Sequence, residues 1–167
     1  GDETSALGRN VISGNAECGV KIGESAFGNW VFRNYIGVSA NGLIPVTNQH
    51  HGVLVENAAH GNYIGSGGYT DSGNVISGNG YTNTYHGVCI QNGAWGIEVD
   101  RNIIGLNAAN FPAPNAGDGV HIENAHTNTI GTVSAFGGNV ISGNGRDGVR
   151  IGPSSTRNYL YQNRIGL

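Results

Sequence analysis

Six polar side chains occupy matching places in successive copies of a short motif, and their types suit acid/base chemistry. The motif is Gly-Val-x-[Ile/Val], and the six residues lie just before it, in its middle or just after it: His86, Asp118, His121, Glu123, Asp147 and Arg150. Carboxylates beside histidine or arginine can move protons during the cleavage of a polysaccharide. Cross-strand charge pairing on a solvated face predicts the same residues without catalysis, and simple ligand binding is a third interpretation.

A pair of adjacent histidines raises the question of a metal site. His50 and His51 precede one copy of the motif and His86 precedes the next, so the three side chains are candidate metal ligands. No closely spaced Cys/His pattern typical of zinc accompanies them, and the sequence therefore predicts neither a bound metal nor another cofactor. Cys18 and Cys89 lie two repeats apart at positions that do not match, which predicts two free thiols.

These residues are carried by internal repeats of about 30 residues. The hexapeptide Asn-Val-Ile-Ser-Gly-Asn begins at three positions, and Gly-Val-x-[Ile/Val] begins at five. The starting residues are Asn10, Asn74 and Asn139 for the first motif and Gly19, Gly52, Gly87, Gly119 and Gly148 for the second. Each repeat holds three short segments of β-type sequence separated by Gly and Asn. A fixed period of this kind is the signature of a solenoid in which every repeat forms one coil.

Variation between the repeats assigns the two faces of each strand. The positions that flank the middle of the motif are always Val or Ile, while the middle residue varies: Lys21, Leu54, Cys89, His121 and Arg150. Successive side chains of a strand point to opposite faces, so the constant pair is expected in the core and the variable residue outside. The same comparison places Ile76 inside and Val75 outside. An Asn precedes the third strand of each coil, and these amides should hydrogen-bond along the stack: Asn10, Asn34, Asn74, Asn102, Asn139 and Asn163.

The composition agrees with a β-solenoid and excludes several other classes. Of 167 residues 30 are Gly, only 11% are charged, and the net charge is -3. Gly and Asn tolerate the left-handed backbone of tight corners, whereas so much Gly disfavours helices. No run approaches the roughly 18 apolar residues of a membrane span, and no basic stripe suggests a nucleic-acid partner. We expect residues 1–167 to form a single domain.

The hexapeptides, the Gly-Val motifs and the Asn-Tyr-Ile-Gly and Asn-Ile-Ile-Gly segments resemble the repeats of the pectin-lyase-like superfamily. They are most similar to the Asn/Gly-rich repeats of bacterial surface and secreted proteins, and more loosely to the periplasmic NosD-like family. The resemblance implies an all-β fold, namely a single-stranded right-handed parallel β-helix of about five to six coils with three short strands each. It also implies an extracellular, cell-surface or periplasmic location.

For the enzymes of that superfamily the resemblance implies Ca²⁺ held by acidic residues and an Arg or Lys that takes the proton. Lys21 and Arg150 are the only residues of the variable column that match this role, and no full lyase motif surrounds either. Neither end of the chain resembles the polar cap that solenoids normally carry. We therefore expect a segment of a longer array, or association through uncapped coil ends.

Two hypotheses about function follow. The first is a structural and binding segment that contacts polysaccharides or cell-surface glycans, and the second is a polysaccharide lyase, hydrolase or epimerase.

Two proline-containing loops, residues 38–49 and 107–117, are equivalent insertions that should form a wall beside the polar patch. Exposed rings are further candidates for sugar contacts: Trp30, Tyr35, Tyr63, Trp95, Tyr159 and Tyr161.

Overall fold

Short strands with sharp corners between them build the whole described part of the chain. The computed structural model describes residues 8–65, 73–82, 84–133 and 137–166. In chain order its strands are β1 Asn10–Ile12, β2 Val20–Ile22, β3 Trp30–Val31, β4 Asn34–Ile36, β5 Val53–Val55, β6 Tyr63–Gly65, β7 Val75–Ile76, β8 Val88–Gln91, β9 Glu98–Asp100, β10 Ile103–Ile104, β11 Val120–Glu123, β12 Thr129–Gly131, β13 Val140–Ile141, β14 Val149–Ile151, β15 Tyr159–Tyr161 and β16 Arg164–Ile165. No helix occurs among the described residues.

The strands stack into three parallel sheets, so the chain is an all-β parallel solenoid as predicted. Sheet A has the order β1-β4-β7-β10-β13-β16, sheet B the order β2-β5-β8-β11-β14, and sheet C the order β3-β6-β9-β12-β15. Equivalent residues of successive repeats pair in register, for example His121 with Cys89 on one side and with Arg150 on the other. Counted from the first to the last strand of a five-stranded sheet, the stack climbs about four turns, slightly fewer than the five to six coils expected.

A stripe of aliphatic side chains fills the interior, as the repeat comparison predicted. Ile36, Ile76 and Ile104 of sheet A are fully buried in one core cluster with the paired Val and Ile residues of sheet B. The stripe becomes exposed in the last coil, where Ile151 and Ile165 are each 45% exposed because no described coil lies beyond them. The core is therefore continuous along the stack.

The outward positions are less exposed than the alternating pattern predicted. Val75, Leu54 and Cys89 were all expected outside, yet each is buried. Val75 lies between Tyr35 and Ile103 in the register of sheet A, where the backbone of the first insertion loop approaches the Tyr35 ring. Cys89 lies between Leu54 and His121 in sheet B. Periodicity gives the direction of a side chain, whereas loops and long neighbouring side chains decide whether it meets solvent.

Asparagine side chains form a continuous hydrogen-bonded ladder before sheet A, which confirms the predicted column. Each Nδ2 donates to the Oδ1 of the next coil at 2.8–3.0 Å, through Asn10, Asn34, Asn74, Asn102, Asn139 and Asn163. A second ladder was not predicted, although the last Asn of each hexapeptide belongs to it. It runs through Asn15, Asn48, Asn79, Asn115 and Asn144 at the corner that leads to sheet B.

The two insertion loops lie on the same side of the solenoid, as expected. The Ala108 amide donates to the carbonyl of Gly42 at 2.9 Å, and the Asn107 side chain donates to the carbonyl of Leu43 at 3.0 Å. Both loops return to the corner between sheets A and B, where the Asn48 and Asn115 amides join the second ladder. The two loops therefore lie against the outward face of sheet A, beside Tyr35, Val140 and Arg164, and not, as predicted, beside the polar patch on sheet B.

Candidate functional site on sheet B

The outward face of sheet B carries the candidate catalytic and metal-binding side chains singled out from the sequence. The residue before each Gly-Val motif reads Cys18, His51, His86, Asp118 and Asp147 from coil to coil, and the middle residue reads Lys21, Leu54, Cys89, His121 and Arg150. The parallel in-register pairing stacks each column along the solenoid axis. Adjacent strands lie roughly 5 Å apart, so residues of neighbouring coils come into contact.

The column before the motif is fixed by side chains that accept backbone hydrogen bonds from the next coil. His51 Nδ1 accepts the amide N–H of His86 at 3.0 Å, and His86 Nδ1 accepts the amide N–H of Asp118 at 2.9 Å. Asp118 continues the series, since its Oδ1 accepts the amide N–H of Asp147 at 3.0 Å. A ring nitrogen that accepts a hydrogen bond carries no proton, so His51 and His86 are neutral with their proton on Nε2.

Burial keeps these two histidines neutral over a wide pH range. Desolvation, reinforced by the neighbouring His86, lowers the pKa of His51 to about 3. Desolvation, followed by the charge of His121, lowers the pKa of His86 to about 4. Asp118 Oδ2 lies 3.3 Å from His86 Nδ1, but the two do not form an ion pair, because that nitrogen already accepts the Asp118 amide.

His121 is the histidine that does engage carboxylates. Its Nδ1 lies 2.8 Å from Asp118 Oδ2, and its Nε2 lies 3.3 Å from Glu123 Oε2. Asp118 is fully buried, whereas Glu123 is exposed. The His121 ring stacks on His86 with centroids 4.2 Å apart and planes 7° apart. A buried carboxylate that fixes one ring nitrogen and leaves the other near the surface is an arrangement able to transfer protons.

Of the six predicted catalytic candidates, the structure brings four into contact and leaves two aside. His86, Asp118, His121 and Glu123 form the connected group. Asp147 joins it only through its backbone amide, and its side chain is exposed. Arg150 is exposed beside His121 in the strand register. The alignment of repeats could identify the columns, but rotamers decided which members of neighbouring columns touch.

A shallow groove of about 340 Å³ lies at the first three coils of the same face. Its lining combines polar groups with apolar surface: Glu17, Cys18, Lys21, His50, His51, Leu54 and Tyr85. His50 forms one edge, since its Nδ1 lies 2.6 Å from Glu17 Oε2 and its ring stacks on Tyr85 at 4.2 Å. No residue of the insertion loops 38–49 and 107–117 lines this groove, so the prediction that they form a wall beside it is wrong.

A second polar network borders the groove and was not predicted as a unit. Lys21 Nζ lies 2.7 Å from Glu56 Oε1, and Gln91 Nε2 donates to Glu56 Oε2 at 2.9 Å. These two hydrogen bonds, Lys21 first, lower the pKa of Glu56. Burial raises the pKa of Cys18, which lies in the groove. Cys18 and Cys89 are free thiols, as expected.

The candidate metal ligands of the histidine column are already engaged in hydrogen bonds within the stack. Ligand atoms of His86, Asp118 and His121 lie within 4.8 Å of one another, but His86 Nδ1 already accepts the amide N–H of Asp118 and His121 Nδ1 already pairs with Asp118 Oδ2. His51 and His86 would also have to release buried amides to use Nδ1. Ca²⁺ requires six to eight oxygen ligands, whereas the carboxylates of Glu56 and Asp118 are already engaged by other side chains and amides.

Most of the rings considered for sugar contacts stack on other rings. His60 and Trp95 stack at 4.6 Å with planes 3° apart, and Trp30 stacks on Tyr63 at 4.2 Å. Tyr35 instead lies under the Arg9 guanidinium, 5.1 Å from the ring centroid. A sugar packs on an open ring face, and rings stacked along the solenoid axis cover each other's faces. These columns therefore serve mainly as cross-strand packing.

Comparison with protein-family models, curated proteins and solved structures found no match to this chain. The parallel β-solenoid thus rests on the strand pairing itself, and the likeness to pectin-lyase-like repeats stays a sequence-based prediction. No helix within the described part of the chain has the length and apolarity to cross a membrane.

Proposed function

We propose that the chain is a rigid structural and binding segment of a secreted or cell-surface protein of the pectin-lyase-like type, and that it contacts glycans along the outward face of sheet B. The groove beside Tyr85 is the observation that carries this proposal. A sugar has hydroxyl groups around its edge and C–H groups on its faces, so it requires hydrogen-bonding groups next to apolar surface. The groove offers Glu17, Lys21 and His51 beside Leu54 and beside Tyr85, whose ring lines the groove although one of its faces stacks on His50.

Rigidity supports a binding role for such a shallow surface. The side chains that line the groove are held by neighbours: His51 by the His86 amide, His50 by Glu17, and Lys21 by Glu56. A surface that is already ordered loses little conformational entropy when a ligand binds. The stacked coils extend this face along the axis, which suits an extended polymer better than a small molecule.

Binding can be tested with immobilised neutral and acidic polysaccharides, followed by titration calorimetry on any that retain the protein. Tyr85→Ala and Lys21→Ala should each weaken binding about tenfold, equivalent to roughly 1.4 kcal/mol. Tyr159→Ala is the matched control, because Tyr159 is an exposed tyrosine on sheet C, away from the groove. Equal losses in all three variants, or no retention on any polysaccharide, would contradict the proposal.

A polysaccharide-active enzyme is the second candidate, and the Asp118–His121–Glu123 group favours it. His121 Nδ1–H donates a hydrogen bond to the buried Asp118 carboxylate, which orients the ring so that Nε2 lies next to the exposed Glu123. Incubation with uronate and neutral polysaccharides, with and without Ca²⁺, tests for cleavage or epimerisation. Turnover that disappears in His121→Gln while glycan binding persists would establish this second function. Binding without turnover across the panel would favour the structural and binding role.

A further inference from the structure

The two insertion loops share one backbone plan although their lengths differ by one residue. In the first loop the Ser39 amide donates to the carbonyl of Ile44 at 2.7 Å, and in the second the Asn107 amide donates to that of Phe111 at 2.8 Å. Gly42 and Asn110 occupy the same place in this plan. The amide of each donates to the carbonyl three residues earlier in the chain, and each has a positive φ, of 73° and 62°. The loops are therefore two copies of one structural unit.

The second loop docks on the outer surface of the first. The Ala108 amide donates to the Gly42 carbonyl at 2.9 Å, and the Ala108 methyl group packs so closely that a Cβ at Gly42 would lie 2.7 Å from it. The Asn107 side chain adds a hydrogen bond to the Leu43 carbonyl at 3.0 Å. Below this contact, Val75 of sheet A is only 3% exposed.

The corresponding surface of the second loop is an open cavity of about 510 Å³. Its lining consists of residues that each have a counterpart around the first loop. The lining residues include Leu106, Asn110, Pro112, Val140, Gly143 and Arg164. Their counterparts, in the same order, are Val38, Gly42, Pro45, Val75, Gly78 and Ile103. Val140 is half-buried here, whereas its counterpart Val75 is covered. Within the described residues no backbone amide donates to the carbonyl of Asn110, the counterpart of the Gly42 carbonyl that accepts Ala108.

We propose that this cavity is a docking surface for a further insertion loop of the same class, placed directly after β16 as the second loop is placed after β10. The occupant is an extended peptide with a small residue at the place of Ala108, and its amide donates to the Asn110 carbonyl. Continuity with the interface between the first two loops selects this partner, because the cavity repeats the geometry of that interface two coils further on. Arg164 stands where the first site has Ile103, so an occupant without a cation fits best, and residues 105–117 contain none.

An extended chain tests this proposal directly. Gly166-Leu167 matches Gly105-Leu106 in sequence, so the sequence of residues 107–117 is appended after Leu167 of the full chain. The thermal midpoint should rise by about 2–4 °C, the shift expected from one net hydrogen bond with its packing in a chain of this size. Hydrogen exchange should show protection of the appended alanine that matches Ala108.

Two controls separate docking from a general effect of added residues. In the first, the appended alanine that matches Ala108 is replaced by proline, which has no N–H to donate, and the rise in midpoint should disappear. In the second, the appended residues carry a scrambled order. An equal rise in either control, or no rise in the extended chain, would overturn the proposal. Formation of a dimer by the unextended chain, with Val140 protected from exchange, would also overturn it, because the occupant would then be a second copy.

Discussion

Replacing Asn102 by alanine tests the asparagine ladder where it is most deeply buried. The Asn102 side chain is 1% exposed and makes four hydrogen bonds. Its Nδ2 donates to the Ile64 carbonyl at 2.8 Å and to Asn139 Oδ1 at 3.0 Å, while its Oδ1 accepts the backbone and side-chain N–H groups of Asn74 at 3.0 and 2.8 Å. Alanine leaves the two Asn74 donors and the Ile64 carbonyl without these partners inside the stack.

The expected cost follows from these three groups. Each buried group that loses its partner costs roughly 1–2 kcal/mol, so Asn102→Ala should destabilise the protein by about 3–6 kcal/mol. That corresponds to a fall in the melting midpoint of about 10 °C or more for a chain of this length. Urea unfolding followed by circular dichroism measures the free energy, provided that the slope with denaturant is unchanged.

Asn163→Ala is the matched control at the exposed end of the same ladder. Asn163 makes equivalent bonds to Asn139 and to the Ile130 carbonyl, but it is only half-buried, so water can replace the lost partners. We expect a cost of about 1 kcal/mol for this variant. Equal costs for Asn102→Ala and Asn163→Ala, or a cost below about 1 kcal/mol for Asn102→Ala, would refute the reasoning that burial sets the value of each rung.

Three further predictions concern other parts of the solenoid. The free energy of unfolding, measured with urea, should fall as the pH drops below about 6.5 and level off near pH 3. His51 and His86 have folded-state pKa values of about 3 and 4, so the unfolded chain binds more protons than the folded chain in this range. Constant stability between pH 7 and pH 4 would contradict their buried, neutral state. Gly65→Ala should prevent stable folding, because φ is +82° and the new Cβ would overlap the Asp100 carbonyl. Gly28→Ala should lower the free energy of unfolding by only about 1–2 kcal/mol, because its φ is also positive but no atom lies near the position of the new Cβ. Trp95→Ala should lower the free energy of unfolding, measured with urea, by roughly 0.5–1.5 kcal/mol beyond the lost burial, because the stacking on His60 is lost. Polysaccharide retention should not change, and loss of retention would show that this column does bind sugars.

The fold could be predicted in detail because a solenoid repeats the same local problem in every coil. Comparison of the repeats was enough to separate the inward from the outward positions. The first residue after the motif's Gly is always Val, at Val20, Val53 and Val88, whereas the next residue varies between Lys21, Leu54 and Cys89. The burial of Ile22 and Val55 in the core confirms which side faces inward. The column that includes Asn74 and Asn102 followed from the same alignment, since residues at equal positions of parallel coils must stack.

The candidate site was predictable only as a set of columns. Sequence placed His86, Asp118 and His121 on one face, but it could not show that His86 Nδ1 accepts a backbone amide while His121 Nδ1 faces the Asp118 carboxylate. Because of that difference, His86 binds the backbone of the next coil, whereas His121 pairs with a carboxylate. Rotamers and the exact offset between neighbouring coils decide it, and neither has a signature in the repeat pattern.

The sequence by itself determined the parallel solenoid, the inward stripe and the asparagine ladder before sheet A, because these depend on period and residue type repeated in register. Only the tertiary structure decided which outward residues are covered, as at Val75 and Cys89, and which polar groups are already engaged, as at His51. The physical reason is that periodicity fixes direction, whereas burial and hydrogen bonding depend on distances of a few ångströms between loops and side chains of different coils.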